Sequence, residues 1–188
     1  MTLDRKKWID LALGTLLVVL LKPWAMLAGR LLRRDHEVTP RGDILCIKMQ
    51  GGGSLVLAHR ALMGLRLAYP QVRLRLLCTP ATRVFGELLG VFDDYIVVAD
   101  RSMLHLIVSG VRALWACRGI DTVIDFEVYS RLTTVMALFT LARNRISFYM
   151  ESAFWRQDLA THLIFFNRAA GVYVFYQQVA RLLGAQPA

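Results

Sequence analysis

From residue 43 onward the chain alternates short apolar runs with longer stretches of helical spacing, and does so five times. The runs 43–49 (DILCIKM), 72–79 (VRLRLLCT), 95–99 (YIVVA), 122–126 (TVIDF) and 145–149 (RISFY) predict strands. Between and after them, 55–68, 80–89, 103–117, 130–142 and 170–183 place apolar residues at helical intervals. Segment 154–163 fits neither period cleanly. Strands with few polar positions, separated by helices, predict a parallel sheet covered on both faces, an α/β Rossmann-like fold. Its crossovers are expected to be right-handed.

The first 42 residues are of another kind. An unbroken apolar run covers 11–21, followed by Lys22-Pro23, with Trp8 and Trp24 on either side. A spanning helix needs about 20 apolar residues, so this run predicts a re-entrant or interfacial anchor, with Pro23 kinking or ending the helix. A tilted span over 8–32 and an amphipathic helix docked on protein remain open. No small-residue cleavage site supports a signal peptide. Arg5-Lys6-Lys7 and Arg30, Arg33 and Arg34 flank the run, which favours both ends on the cytoplasmic side. Residues 33–42 read as a linker. The expected division is therefore a membrane-associating segment, 1–42, and a Rossmann-like unit, 43–188.

Composition sharpens this. At 56% the hydrophobic share of the 188 residues exceeds the usual 45–50% or so. The formal net charge of +9 favours anionic partners. Basic residues are not interleaved with exposed aromatics, and no nucleic-acid motif is present, so nucleic acid is not an expected partner. Cys46, Cys78 and Cys117 are widely spaced among apolar residues, which predicts buried thiols and neither a metal nor a disulfide framework. No cofactor is expected.

The first strand runs into Gly51-Gly52-Gly53, with Ser54 as a candidate cap for the helix that follows. Such a corner collects backbone N–H groups and the positive end of a helix dipole, which suits a polar or anionic ligand. The dinucleotide fingerprint fails, because Val56 stands at the third glycine position and Cys78-Thr79-Pro80 ends the second strand without a carboxylate. A P-loop fails for want of Lys-Ser or Lys-Thr. A tight turn for close packing is the plain alternative.

Two blocks carry a more specific likeness. ILCIKMQGGGSLVLAHRALMGLRLAYP resembles the opening of glycosyltransferase family 9, the ADP-heptose:lipopolysaccharide heptosyltransferases. Lys48-Met49 stands for the family's Arg-Leu, the stretch from Gln50 to Ser54 for Ser-Ser-Leu-Gly-Asp, Arg60-Ala61-Leu62 for Pro-Ala-Leu, and Tyr69-Pro70 for Phe-Pro. DTVIDFEVYSRLTTVMALFTLARNRISF resembles a second family block, in which Asp125 matches an Asp, Glu127 a Gln and Arg131 a Lys. His162 and the ending Leu182 to Ala185 resemble the close of the family's first domain.

The resemblance implies the N-terminal, acceptor-binding half of a GT-B enzyme, covering about 43–185. It implies a nucleotide-sugar donor held by a second domain, an anionic lipid-linked or lipopolysaccharide-core acceptor, and a site on the cytoplasmic face of the bacterial inner membrane. The sequence ends at Ala188 with no donor domain in view, so hexosyl or heptosyl transfer is expected only if one completes it. Ser54 occupies the family's base position in place of Asp, which makes Asp125 the replacement candidate. Lys48, Gly51, Gly52, Gly53, Glu127 and Arg131 are the implied acceptor-binding residues. The alternative is a catalytically silent binding or scaffold module of envelope glycan assembly.

Overall fold

The structure is a computed structural model that describes residues 3–188. Met1 and Thr2 of the expected anchor, and the side chain of Lys6 in its basic flank, lie outside the described residues. Six parallel strands form one sheet in the order β3-β2-β1-β4-β5-β6. They are β1 (Ile44–Lys48), β2 (Leu74–Cys78), β3 (Asp94–Val97), β4 (Thr122–Asp125), β5 (Asn144–Tyr149) and β6 (His162–Phe165). The helices are α1 (Leu3–Leu32), α2 (Gly52–Leu57), α3 (His59–Ala68), α4 (Pro80–Leu89), α5 (Met103–Ala116), α6 (Arg131–Phe139) and α7 (Val172–Leu182). The expected α/β Rossmann-like architecture is present. Register pairs Lys48 with Cys78 on one side of β1 and Ile47 with Asp125 on the other.

Strand alternation sorts the core into two layers. Ile44, Cys46, Ile124, Phe126, Ile146 and Phe148 face the layer of α2, α3, α4 and α7. Leu45, Ile47, Leu77, Ile96 and Val123 face α5 and α6. All three cysteines are buried and free, and burial pushes each thiol up, Cys78 to about 12 and Cys117 to about 11.

Four local expectations are corrected. The ambiguous segment holds a 3₁₀ turn at Glu151–Arg156 and then β6, a sixth strand. β6 is a short edge strand, and no glycine or proline between Phe154 and Phe166 marks where it starts or stops. Ser54 is not a helix cap. Gly51 is, at a left-handed φ of 69°, and the Ser54 hydroxyl donates back to the Gly51 carbonyl at 2.8 Å. The helix after the corner divides at Ala58 into α2 and α3. Pro23 does not end α1, which runs on to Leu32 with one ladder bond forgone.

α1 lies along α6. Val18 packs on Val135 and Leu159, with Leu17, Leu21, Leu138 and Trp155 around them. At Gly14 a Cβ would meet the Arg131 Cβ at 2.5 Å, so glycine sets the closeness of the two helices. The remaining faces of α1 are apolar and exposed, Trp8 by 69% and Trp24 by 70%. Lys7–Leu31 is long and apolar enough to cross a membrane, by length and composition. Residues 33–42 form no regular element and are tied to the sheet end: Arg143 donates to the carbonyls of Glu37 and Thr39, and Asn144 to that of Glu37.

Candidate functional site

The strand order reverses between β1 and β4, and a doubly wound sheet opens its ligand crevice at such a point, at the carboxyl ends of the strands. Here that rim carries the loop 49–51 from β1 and the segment 125–130 from β4.

The β1 loop is held from both sides. The Glu127 carboxylate accepts the amides of Met49 and Gln50 at 2.8 and 2.7 Å through Oε1. Its Oε2 lies 3.5 Å from Lys48 Nζ, which also donates to the Phe126 carbonyl. On the β2 side, the hydroxyls of Thr79 and Thr82 both donate to the Met49 carbonyl, at 3.0 and 3.2 Å. Lys48 is 6% exposed, so it works inside the rim rather than in solvent.

The three glycines have separate reasons. Gly51 needs the left-handed φ. A Cβ on Gly52 would lie 2.1 Å from the Phe85 ring. A Cβ on Gly53 would meet nothing within 4 Å. Among the described residues no protein acceptor meets the amides of Gly51, Gly52 and Gly53. A corner of fixed shape therefore presents N–H donors at an exposed turn, with the Phe85 ring against Gly52.

Asp125 is placed differently. It ends β4 under α6 and is 1% exposed. Its oxygens accept the Glu127 amide at 3.0 Å and the hydroxyls of Thr133 and Thr134, each at 3.1 Å. Arg156 Nη2 stands 3.6 Å away. Burial pushes the Asp125 carboxyl up to about 6, against the pull of Arg156. Arg156 is itself fully buried and donates to the carbonyls of Glu127 and Ser130, with Nε unpartnered.

The structure thus brings Lys48, Gly51, Gly52, Gly53, Ser54 and Glu127 to one rim, with Asp125 buried directly behind it. Arg131 is not part of that group. Its guanidinium lies over the Trp155 ring at 5.0 Å and lines a separate cavity of about 760 Å³ with Lys22 and Arg30.

Two residues, Arg156 and Asp10, escaped the sequence, and the aromatic stretch that holds Tyr176 reads there only as packing for the last helix. Arg156 sits in the segment that fitted neither period. Tyr176 of α7 packs on Phe126 and is buried; burial raises its phenol, with Ser54 beside it pulling back and Glu127 adding to the rise. Asp10 of α1 caps α6, its oxygens accepting Ser130 Oγ at 2.6 Å, Arg131 N at 2.9 Å and Leu132 N at 3.0 Å. A charged residue within an apolar or aromatic stretch was the only signal for Asp10 and Arg156.

No protein-family model matches the sequence, and no curated protein matches it. Solved structures do. A glycosyl transferase family 9 protein from Veillonella parvula superposes with a TM-score of 0.63 at 19% identity, covering 80% of this chain and 43% of that one. The E. coli ADP-heptose lps heptosyltransferase II gives 0.60 at 16% identity, over 73% of this chain and 40% of the other. An E. coli heptosyltransferase solved with ADP gives 0.61 at 14%, over 78% and 49%. The chain thus spans less than half the length of these three structures. The resemblance to glycosyltransferase family 9 is met at the level of the fold.

Proposed function

We propose that residues 43–188 are the acceptor-binding unit of a family-9-like glycosyltransferase, with 1–42 as its membrane-associating segment. The reaction moves a sugar, heptose by analogy with two of the similar structures, from a nucleotide-sugar donor to a lipid-linked or lipopolysaccharide-core acceptor. It takes place at the cytoplasmic face of the bacterial inner membrane. The observation that carries this reading is the switch-point corner, whose Gly51–Gly53 amides are free beside a loop fixed by Glu127, Thr79 and Thr82.

In this reading the amides donate to acceptor oxygens and hold one hydroxyl toward the donor. The hydroxyl oxygen attacks the anomeric carbon, the bond to the nucleotide diphosphate breaks, and the proton leaves to a base. Ser54 cannot supply that base at neutral pH, because its hydroxyl has no partner to take its own proton. Asp125 has a proton affinity suited to the task, with its carboxyl at about 6, but reaching the hydroxyl requires α6 to yield at Thr133 and Thr134. Lys48 and Glu127 shape the loop rather than touch the sugar.

The engagement of both rim carboxylates supports a second reading, a silent module that binds the glycan acceptor without transfer. Incubating the longest natural form of the protein, with any donor-binding domain or partner chain, in lipid nanodiscs with ADP-, GDP- and UDP-sugars and lipid acceptors, read by mass spectrometry, separates the two. Transfer that survives Ser54→Ala and is lost in Asp125→Asn supports the displaced base. Acceptor binding without transfer from any donor supports the module. Absence of both ends the acceptor-site reading.

A further inference from the structure

A second feature reaches the same rim from the other side. α1, α5 and α6 enclose an apolar groove of about 280 Å³, near the lower end of small-molecule pockets at about 300 Å³. Its walls include Leu13 and Leu17 of α1, Leu106 and Ile107 of α5, and Met136 and Phe139 of α6. Its polar lining groups, Asp10, Gln50, Thr79, Asp100, Ser130 and Thr133, gather beside the carboxyl ends of the strands, the end taken as the mouth. Gln50 belongs to both sites: it lines the groove and directly precedes the glycine corner.

We propose that this groove holds the alkyl chain of a glycolipid, with its uncharged, hydroxyl-bearing head at the mouth. Three observations select this occupant. The groove is apolar along its length and polar at one end, which fits an amphiphile. Asp10 and Asp100 line it and, among the described residues, no lysine or arginine does, which favours a sugar at the mouth over a phosphate or a carboxylate. One wall is α1, whose outer surface is apolar over a length that matches a bilayer, so a chain can pass in from lipid. The placement of the head beside Gly51 rests on the acceptor-site reading above; the seat of the chain does not.

Gly110 of α5 gives the test. It lines the groove, and a Cβ built on it meets nothing within 4 Å, so a side chain can start there without a backbone clash. Gly29 of α1 is equally open but lies outside the groove lining, which makes it the control. The probe is a dodecyl glycoside carrying a fluorophore at its chain end, titrated into the full chain below its micelle concentration. Saturable binding at one site per chain is expected, weakened roughly tenfold or more by Gly110→Phe and unchanged by Gly29→Phe. Gly110→Leu serves where the bulkier variant does not fold. Binding that Gly110 variants leave intact, equal weakening by both glycine variants, or no saturable binding overturns the groove. Tighter binding of the matching labelled fatty acid overturns the sugar head and with it the proposal. Sugar transfer is measured separately, so a chain that binds the glycoside and transfers nothing counts against the transferase alone.

Discussion

Gly51, Gly52 and Gly53 look alike in the sequence and differ in the structure. Gly51→Ala forces a left-handed backbone on a side chain and is expected to lower the unfolding free energy by about 1–2 kcal/mol. Gly52→Ala drives a methyl into Phe85 and should cost about 1 kcal/mol or more. Gly53→Ala should stay within about 0.5 kcal/mol in urea denaturation, while weakening acceptor binding if the free amides hold it. Behind the corner, Asp125 and Arg156 form a buried pair. Arg156→Ala leaves a buried carboxylate uncompensated and should destabilise by about 3–5 kcal/mol in the same assay. Asp125 also sets a pH dependence. Its folded carboxyl, at about 6, holds a proton more tightly than the unfolded one at about 3.9. That contribution to stability is full below the unfolded value and is lost as pH rises through about 6. His162 acts the other way, since burial lowers its imidazole and stability falls with falling pH. The comparison that isolates Asp125 is therefore wild type against Asp125→Asn. The advantage of wild type in thermal unfolding should shrink between about pH 4 and 6. A constant difference would assign the pH response elsewhere.

At the scale of elements, the first five strands were legible because each is a run of apolar residues bounded by a turn, the edge strand β3 included. β6 was not, because no glycine or proline between Phe154 and Phe166 bounds its short run. The glycine corner was legible as a corner; that Glu127 grips its approach from 77 residues away was not, since nothing local marks such a contact. α1 shows the same limit. Its apolar run was plain, while its docking depends on Asp10 capping a helix 120 residues further on. Asp10→Ala removes three hydrogen bonds from the start of α6, whose own cap Ser130 remains, and should cost about 1–2 kcal/mol. Amide hydrogen exchange should then quicken at Arg131 and Leu132. Protection unchanged at those amides would show that α1 does not hold that end of α6.

For the molecule as a whole, one side carries α1 with its exposed Leu16, Leu20 and Trp24, and α5 with Leu104, Val108 and Trp115. An apolar surface of that extent on a chain of net charge +9 suits an anionic bilayer. The full chain should float with anionic vesicles and less with zwitterionic ones, and Leu20→Glu with Trp24→Glu should reduce flotation without lowering the melting temperature. Flotation unaffected by those changes would move the lipid contact away from α1.

The cap that Asp10 places on α6 also orders events in time. At a synthesis rate of about 5–20 residues per second, the 120 residues separating Asp10 from Ser130 take roughly ten seconds to appear. Throughout that interval α1 has left the ribosome with no protein surface to rest on. If 1–42 associates with a membrane as proposed, lipid meets the newborn helix before its own domain does, and the sheet is then expected to fold at the bilayer.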